Sequence, residues 1–211
     1  MPRTTILVPH GAEAAAVRRA RPSARVVELR AGAAAASALP DFEDGETAIV
    51  LGLCGALRQL RVGEVAVYGR VLDAAGVFQL DPHLVDALAT ALPDALVVNA
   101  CTSERVVTTP AARAELALRF HADVVDMEGT YLAAALAARN VRFAMVRVVS
   151  DDASRNLPPI GDAIDAQGRL QPVRVALAFA RAPGAAFAFV HDVRRALATL
   201  TATARTVEGL R

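Results

Sequence analysis

Several residue types are scarce or missing in this sequence, and each absence excludes a kind of chemistry. Among its 211 residues there is no lysine, no tryptophan and only two cysteines, and aromatic residues make up 4%. Without lysine, no Schiff base can form on a side-chain amine. Cys54 and Cys101 lack Cys-x-x-Cys or Cys/His spacing, which predicts buried, reduced thiols in a cytoplasmic protein. The four histidines show no ligand spacing either, so we expect no metal and no cofactor.

An excess of charge of either sign is also missing. The formal net charge is +1 with acidic and basic residues interleaved, so we expect neither nucleic acid nor an anionic membrane surface as a partner. No apolar run approaches about 20 residues without a charge, which predicts that the chain does not span a membrane. The apolar share of 54% suffices for a core without disulfides, and the length fits a single domain over residues 1–211.

What the sequence does contain is a regular alternation of β-favouring runs and alanine-rich helical segments. The runs predict strands over 4–8, 26–29, 48–53, 63–72, 95–100, 122–125 and 143–149, with helices over 12–20, 31–39, 82–92, 127–139, 173–181 and 185–205. This alternation predicts a three-layer α/β/α sandwich around a central mixed, mostly parallel sheet. The run over 63–72 follows a tight turn, which indicates an antiparallel neighbour. Residues 153–171 lack strong periodicity, which predicts a long loop that is either an active-site lid or disordered.

Residues 122–152 are predicted to organise the site, because they form a strand, a helix and a strand with acidic residues at both strand ends. We interpret this segment as a βαβ unit, and ligands of open α/β sheets collect outside the carboxyl ends of the strands. Candidate residues also follow two earlier strands. The candidates are Glu13 after the first strand, a glycine turn from Gly52 to Gly55, Asp126 with Met127 and Glu128, and Ser150 with Asp151.

Carboxylate chemistry is the remaining candidate, because no GxSxG elbow, Walker loop or GxGxxG turn is present. Two carboxylates beside a sugar are typical of glycosidic bond cleavage. Asp151 follows an apolar strand, where desolvation raises a carboxyl pKa and favours protonation of a leaving heterocycle. Glu128 is predicted to open a helix, where we expect it to stay ionised and to be able to accept hydrogen bonds from two sugar hydroxyls. Arg147 interrupts the apolar strand, which predicts an acidic partner in the core.

Three motifs occur in an order that resembles a known family. They read Val-Asp-Met-Glu-Gly at 125–129, Val-Arg-Val-Val-Ser-Asp at 146–151, and Gly-Leu-Cys-Gly-Ala-Leu at 52–57 followed by Val-Gly-Glu-Val at 62–65. On these residues the chain resembles the purine nucleoside phosphorylase and nucleosidase superfamily, with a pattern closest to methylthioadenosine/S-adenosylhomocysteine nucleosidases.

The resemblance implies a role for each matching residue. Asp151 would protonate the departing base, Glu13 would orient an attacking water, and Glu128 would hold the ribose hydroxyls. The resemblance also implies binding roles for a larger set: Met127 beneath the ribose, Asp126 beside it, Ser150 next to the acid, Gly52, Leu53, Cys54 and Gly55 in the floor of the site, and Val106 and Val107 beside the base. It further implies a homo-oligomer such as a homodimer, and a nucleoside substrate of the methylthioadenosine, S-adenosylhomocysteine or futalosine type.

Departures from the family pattern bear on the reaction. Phosphorylases carry a phosphate-binding arginine just ahead of the glycine turn, where this chain has Val50, and a buried phosphate needs such donors. Hydrolysis is therefore favoured. Arg30 could still bind phosphate, which leaves a nucleoside phosphorylase as an alternative. Residues 102–106 contain no aromatic side chain where the family stacks the purine, which motivates a third alternative, a nucleoside-binding protein with little activity.

Overall fold

Strands and helices alternate along the chain, as the sequence pattern predicts. The computed structural model describes residues 3–160 and 171–208. The strands are β1 (Thr4–Pro9), β2 (Arg25–Leu29), β3 (Thr47–Ala56), β4 (Val65–Leu72), β5 (Val77–Gln79), β6 (Leu96–Thr102), β7 (Val124–Asp126) and β8 (Arg142–Asp151). The α-helices are α1 (Ala12–Arg19), α2 (Pro82–Ala91), α3 (Pro110–Phe120), α4 (Gly129–Ala137), α5 (Pro172–Arg181) and α6 (Pro183–Glu208), and a 3-10 helix covers Gly32–Ala38.

Two helices begin at a short polar side chain followed by proline. Asp81 accepts a hydrogen bond from the Leu84 N–H at the start of α2, and Thr109 accepts one from the Ala112 N–H at the start of α3. Such capping stabilises a helix by about 1 kcal/mol, and proline fits the first helical position because its missing N–H needs no partner there. These local signals explain why α3 exists, although we did not predict this helix from the sequence.

The strands form one mixed sheet in which parallel ladders outnumber antiparallel ones. β1 pairs in parallel with β2 and β3, β3 with β8, β4 with β6, and β6 with β7. The antiparallel pairs are β4 with β5, β4 with β8, and β3 with β7. The predicted mixed, mostly parallel sheet is confirmed, and so is the antiparallel neighbour of the fourth strand.

Part of this sheet closes on itself. β3, β8, β4, β6 and β7 pair in succession, and β7 pairs back with the end of β3. Gly55 of β3 is the register partner of Val125 on β7 and also of Asp151 on β8. The closure therefore brings the ends of three strands to one place.

Helices flank this sheet and bury its apolar side chains. α6 packs against β3, β8 and α1, whereas α4 packs against the 3-10 helix and against β4, β6 and β8. The main core joins strand residues such as Ile6 and Leu51 to helix residues such as Leu132, which are all almost fully buried. The predicted α/β sandwich is thereby confirmed, and this continuous core supports the proposal of a single domain.

Two local predictions are wrong. Residues 122–152 do not form a parallel βαβ unit, because β7 is parallel to β6 and β4 while β4 runs antiparallel to β8. The segment from Gly52 to Gly55 is not a turn but lies inside β3, which continues to Ala56 because its backbone pairs with β8 and then β7. Of the predicted loop over 153–171, residues 161–170 lie outside the described residues.

Candidate active site

A single cavity collects nearly all of the predicted site residues. Its volume is about 1060 Å³, at the upper end of the roughly 300–1,000 Å³ of small-molecule sites. The predicted residues that line it are Glu13, Leu53, Cys54, Gly55, Val106, Val107, Asp126, Met127, Glu128, Ser150 and Asp151. Gly52 is not among the lining residues. The convergence follows from the ring closure, which places the ends of β3, β7 and β8 together near the end of β1.

Glu13 lies in the first turn of α1 and reaches across to β3. Its Oε1 atom accepts a hydrogen bond of 2.7 Å from the backbone N–H of Leu53. The pKa of Glu13 is raised to about 7, because burial and the neighbouring Glu128 raise it by more than Arg147 lowers it. A carboxyl group that titrates near neutral pH is suited to accept a proton from a bound water.

Arg147 on β8 is the central charge of the site. Its side chain is fully buried, with Nη2 3.6 Å from Asp126 Oδ2 and 3.5 Å from Glu128 Oε2. The prediction of an acidic partner for this arginine is therefore confirmed. Burial acts to lower the pKa of Arg147, but Asp126 and Glu128 outweigh burial and raise it. Among the described residues none accepts a hydrogen bond from Nε, Nη1 or Nη2, and the guanidinium is compensated by the charge of the nearby carboxylates.

Gly52 leaves room for the side chains of Arg147 and Glu13, which both lie close to its backbone. A Cβ atom at this position would lie 2.1 Å from Arg147 Nη1 and 2.8 Å from Glu13 Oε1. Only a residue without a side chain leaves the space that the guanidinium and the carboxylate occupy. The role of Gly52 is therefore indirect, through the two charged side chains that it admits.

Replacing Gly52 with alanine is expected to lower the free energy of unfolding by about 1–3 kcal/mol, because the buried guanidinium must move. Urea denaturation measures this change. Gly76→Ala is the matched control, since a Cβ there meets no atom within 4 Å. Equal stability of both variants would show that the space around Gly52 is not filled by Arg147 in solution.

Asp126 and Glu128 are both buried and are oriented by backbone and hydroxyl donors. Asp126 Oδ1 accepts hydrogen bonds from the Thr102 hydroxyl at 2.9 Å and from the Gly129 N–H at 3.0 Å. Glu128 Oε1 accepts one from the Gly32 N–H at 2.9 Å. Burial raises the pKa of Glu128, and Arg147 opposes that rise. Asp126 thus supports the start of α4, while Glu128 keeps one oxygen toward Arg147 and the cavity.

Asp151 ends β8 and faces the cavity beside two partners. Its Oδ1 lies 2.6 Å from the Ser150 hydroxyl, which is also 3.1 Å from the Cys54 carbonyl. Its Oδ2 lies 2.5 Å from Arg113 Nη2. Burial raises the pKa of Asp151, as predicted, while Arg113 and the Ser150 hydroxyl act to lower it. Asp151 is therefore a buried carboxyl with a fixed orientation at the rim of the sheet.

Aromatic side chains reach the cavity from a part of the chain that we did not assign to the site. Phe179 of α5 and Phe189 of α6 line it and pack edge to face, with ring centroids 6.3 Å apart and an interplanar angle of 74°. Val106 and Val107 line the same cavity where the sequence lacks an aromatic residue. The aromatic surface available to a flat ring therefore comes from α5 and α6.

Two arginines near the site were not predicted to belong to it, for different reasons. Arg147 carried a signal, since a charged residue within an apolar strand must be compensated, but that signal does not distinguish core pairing from ligand binding. Arg113 carried none by itself, although Thr109 and Pro110 mark the start of its helix. Both cysteines are buried free thiols, as predicted.

Neither a metal-binding cluster nor a membrane-spanning helix is found within residues 3–160 and 171–208. No group of three or more His, Cys, Asp or Glu side chains with the geometry of a metal site occurs there. No helix in the same ranges has the length and hydrophobicity needed to cross a membrane.

The fold and the acidic cavity lead to a protein class. The family model of the phosphorylase superfamily matches residues 22–171, well over half of the chain, so the protein belongs to that superfamily. The resemblance read from the sequence motifs is thereby confirmed. No curated protein sequence matches the chain significantly.

Solved structures that share the fold include nucleosidases and a futalosine hydrolase. A mutant of the Helicobacter pylori 5'-methylthioadenosine nucleosidase with 5'-methylthioadenosine in its active site is 12% identical, with a TM-score of 0.72 over 98% of each chain. A futalosine hydrolase mutant from the same organism is 12% identical, with a TM-score of 0.71 over 98% of each chain. The Colwellia psychrerythraea methylthioadenosine/S-adenosylhomocysteine nucleosidase in complex with adenine is 15% identical, with a TM-score of 0.72 over all of this chain and 96% of that one.

Proposed function

We propose that the protein is a nucleosidase, which hydrolyses the N-glycosidic bond of a purine-type nucleoside. The observation that supports it best is the convergence of Glu13, Glu128 and Asp151 on one cavity, with Arg147 between the first two. The nucleosidases of the same fold bind methylthioadenosine or adenine or hydrolyse futalosine, and we extend this substrate class to the present chain. Homodimer formation and a cytoplasmic location remain predictions.

Glu13 and Asp151 have complementary roles in the proposed reaction. Water attacks the ribosyl C1′ while the bond from C1′ to the base nitrogen breaks, and the base leaves with the bonding electron pair. Glu13 takes a proton from the water, and Asp151 gives a proton to a ring nitrogen of the base. Arg147 holds the charge of Glu128 from behind the cavity wall, and Glu128 binds the sugar hydroxyls through a charge-assisted hydrogen bond.

The charge of the site favours water over phosphate as the nucleophile. Glu13, Asp126 and Glu128 surround one guanidinium, so a phosphate dianion at this place would meet more negative than positive charge. Arg30 is exposed at the cavity wall and is not part of this cluster. Phosphorolysis, the alternative that the sequence left open, would need Arg30 to bring its charge to the sugar.

The value of kcat/KM is expected to rise as the pH increases through about 7. The pKa of Glu13 is raised to about 7, and only the ionised carboxylate can accept a proton from water. Below that pH Glu13 is protonated and the nucleophile is not activated. Glu13→Gln is expected to lower kcat and to remove this ascending limb. Glu115→Gln, an exposed change on α3, should leave both unchanged. An unaltered limb in the Glu13 variant would exclude Glu13 as the base.

One assay tests the proposal against its alternatives. Purified protein is incubated with methylthioadenosine, S-adenosylhomocysteine, adenosine, inosine and futalosine, each with and without inorganic phosphate, and free base is measured by chromatography. Release of base and free pentose without phosphate is expected. Release that requires phosphate and yields pentose 1-phosphate would establish a phosphorylase. Thermal stabilisation by a nucleoside without any release would establish a binding protein.

A further inference from the structure

Arg113 is a buried cation whose backbone partners come from three segments. It occupies the first turn of α3, and its side chain is 1% exposed. Nε and Nη2 donate to the Val107 carbonyl at 3.3 and 3.1 Å, and Nη1 donates to the carbonyls of Ala56 at 3.3 Å and Asp152 at 2.6 Å. The guanidinium thus ties α3 to the end of β3 and to the residue after β8.

Within the part of the chain that the structure describes, Asp151 is the acidic group that forms an ion pair with this guanidinium, at 2.5 Å. Removing one partner of a buried ion pair costs about 3–5 kcal/mol, because the other charge is left without compensation. When Asp151 becomes protonated in the free protein, the buried charge of Arg113 likewise loses its compensation. The protonation state of Asp151, the proposed acid, is therefore coupled to the Arg113 side chain of α3.

The other groups around Asp151 contribute less charge. Asp152 follows it in the chain, but the Asp152 carboxylate forms an ion pair with Arg155 at 2.7 Å. Ser150 is uncharged at any ordinary pH, and Cys54 on β3 is a buried thiol whose pKa is raised by burial. Arg113 is consequently the positive charge in direct contact with this carboxyl group.

The pair also fixes which oxygen can transfer a proton. A guanidinium has donors but no acceptor, so a proton on Asp151 cannot lie between Oδ2 and Arg113. Oδ1 faces the Ser150 hydroxyl, which can either donate to it or accept from it. Contact from both sides holds the carboxyl plane in one orientation toward the cavity.

We propose that Arg113 is a positioning residue for Asp151, which fixes the orientation of its carboxyl group and sets the pH range in which that group holds a proton. The inference rests on the proposed function, because it concerns the group that would protonate the leaving base. It assigns to α3 a part in the reaction that the sequence motifs did not indicate. Arg113 would act through Asp151 rather than on the reacting atoms.

The titration of Asp151 in the free protein tests this inference directly. Carbon-13 NMR of protein labelled at the aspartate carboxyl group is recorded against pH, and the Asp151 resonance is assigned by its loss in Asp151→Asn. An arginine next to an aspartate lowers its pKa by about 1–3 units. Arg113→Met and Arg113→Gln, which remove the charge, are therefore expected to raise the titration midpoint by at least about 1 unit. Arg113→Lys, which keeps the charge, is expected to leave it within about half a unit.

Arg119→Met is the matched control, because Arg119 is an exposed residue on the same helix and should not affect the midpoint. An unchanged midpoint in the uncharged Arg113 variants would overturn the inference and leave Arg113 a purely structural residue. If neither uncharged variant folds, the Arg113→Lys variant provides the test. A shift of its Asp151 titration midpoint by more than about 1 pH unit, although the charge is retained, would also contradict the inference. The titration needs no substrate, so its result is independent of whether the protein releases a base. In an active enzyme the same shift moves the descending limb of kcat/KM to higher pH.

Discussion

Replacing Asp151 with asparagine is expected to lower base release by about 10²–10⁴-fold, the usual contribution of a general acid or base. The amide has nearly the same shape and keeps an oxygen that can accept a hydrogen bond from Arg113, but it has no acidic proton for the leaving base. The initial rate of base release and the thermal unfolding temperature should be measured on the same preparation, because Arg113 also loses its counter-charge in this variant.

The matched control for this prediction is Asp86→Asn, an exposed change on α2 that should alter neither rate nor stability. A folded Asp151→Asn protein with a turnover near that of the wild type would remove Asp151 from the acid role. The pH profile of the variant adds a second criterion. Its descending limb should disappear, because the group that must be protonated is gone.

Replacing Arg147 with methionine is expected to reduce the free energy of unfolding by about 3–5 kcal/mol, as for other broken buried ion pairs. Three carboxylates, those of Glu13, Asp126 and Glu128, would lose the cation that compensates them. The loss should be larger at pH 8 than at pH 5.5, because carboxyl groups without a cation are protonated more readily at the lower pH. Urea denaturation at both values measures it.

A second substitution makes this prediction specific to charge. Adding Glu128→Gln to Arg147→Met removes one uncompensated carboxylate and is expected to restore part of the stability, so the two changes should not be additive. Arg3→Met, which breaks the exposed pair with Glu43, is the control and should have little effect. Strict additivity of the two buried changes would show that Arg147 contributes through packing alone.

The architecture was largely predictable because it depends on local patterns. Apolar runs of strand length alternate with alanine-rich segments, and this alternation specifies an α/β sandwich. The strand over Val65–Leu72 was even expected to have an antiparallel neighbour, which β8 supplies. The direction of β7 relative to β8 was not predictable in this way. The direction of β7, a strand of three residues, depends on the strands with which it pairs, and this pairing is determined by tertiary contacts.

The acidic residues of the site were identifiable because they follow predicted strands and most of them belong to motifs that resemble those of a known family. The sequence also predicted that Asp126 and Asp151 lie close together, but the reason given, a pair of parallel strands, is wrong. Parallel strands sharing an edge would have placed Asp126 and Asp151 together, but β7 and β8 run in opposite directions. They meet because both pair with the end of β3 around Gly55, where the sheet closes. Pairings between strands that are far apart in sequence leave no periodic signal in the chain.

The amino-acid sequence alone determined the class of fold, the buried state of both cysteines and the identity of the carboxylates that face the cavity, because these follow from local hydrophobicity and residue type. Only the tertiary structure decided that Arg147 pairs with Asp126 and Glu128, that Arg113 contacts Asp151, and that Phe179 and Phe189 supply the aromatic wall. The physical reason is that an ion pair or a ring contact depends on the distance between side chains in space. That distance is established when the sheet closes and the helices pack against it.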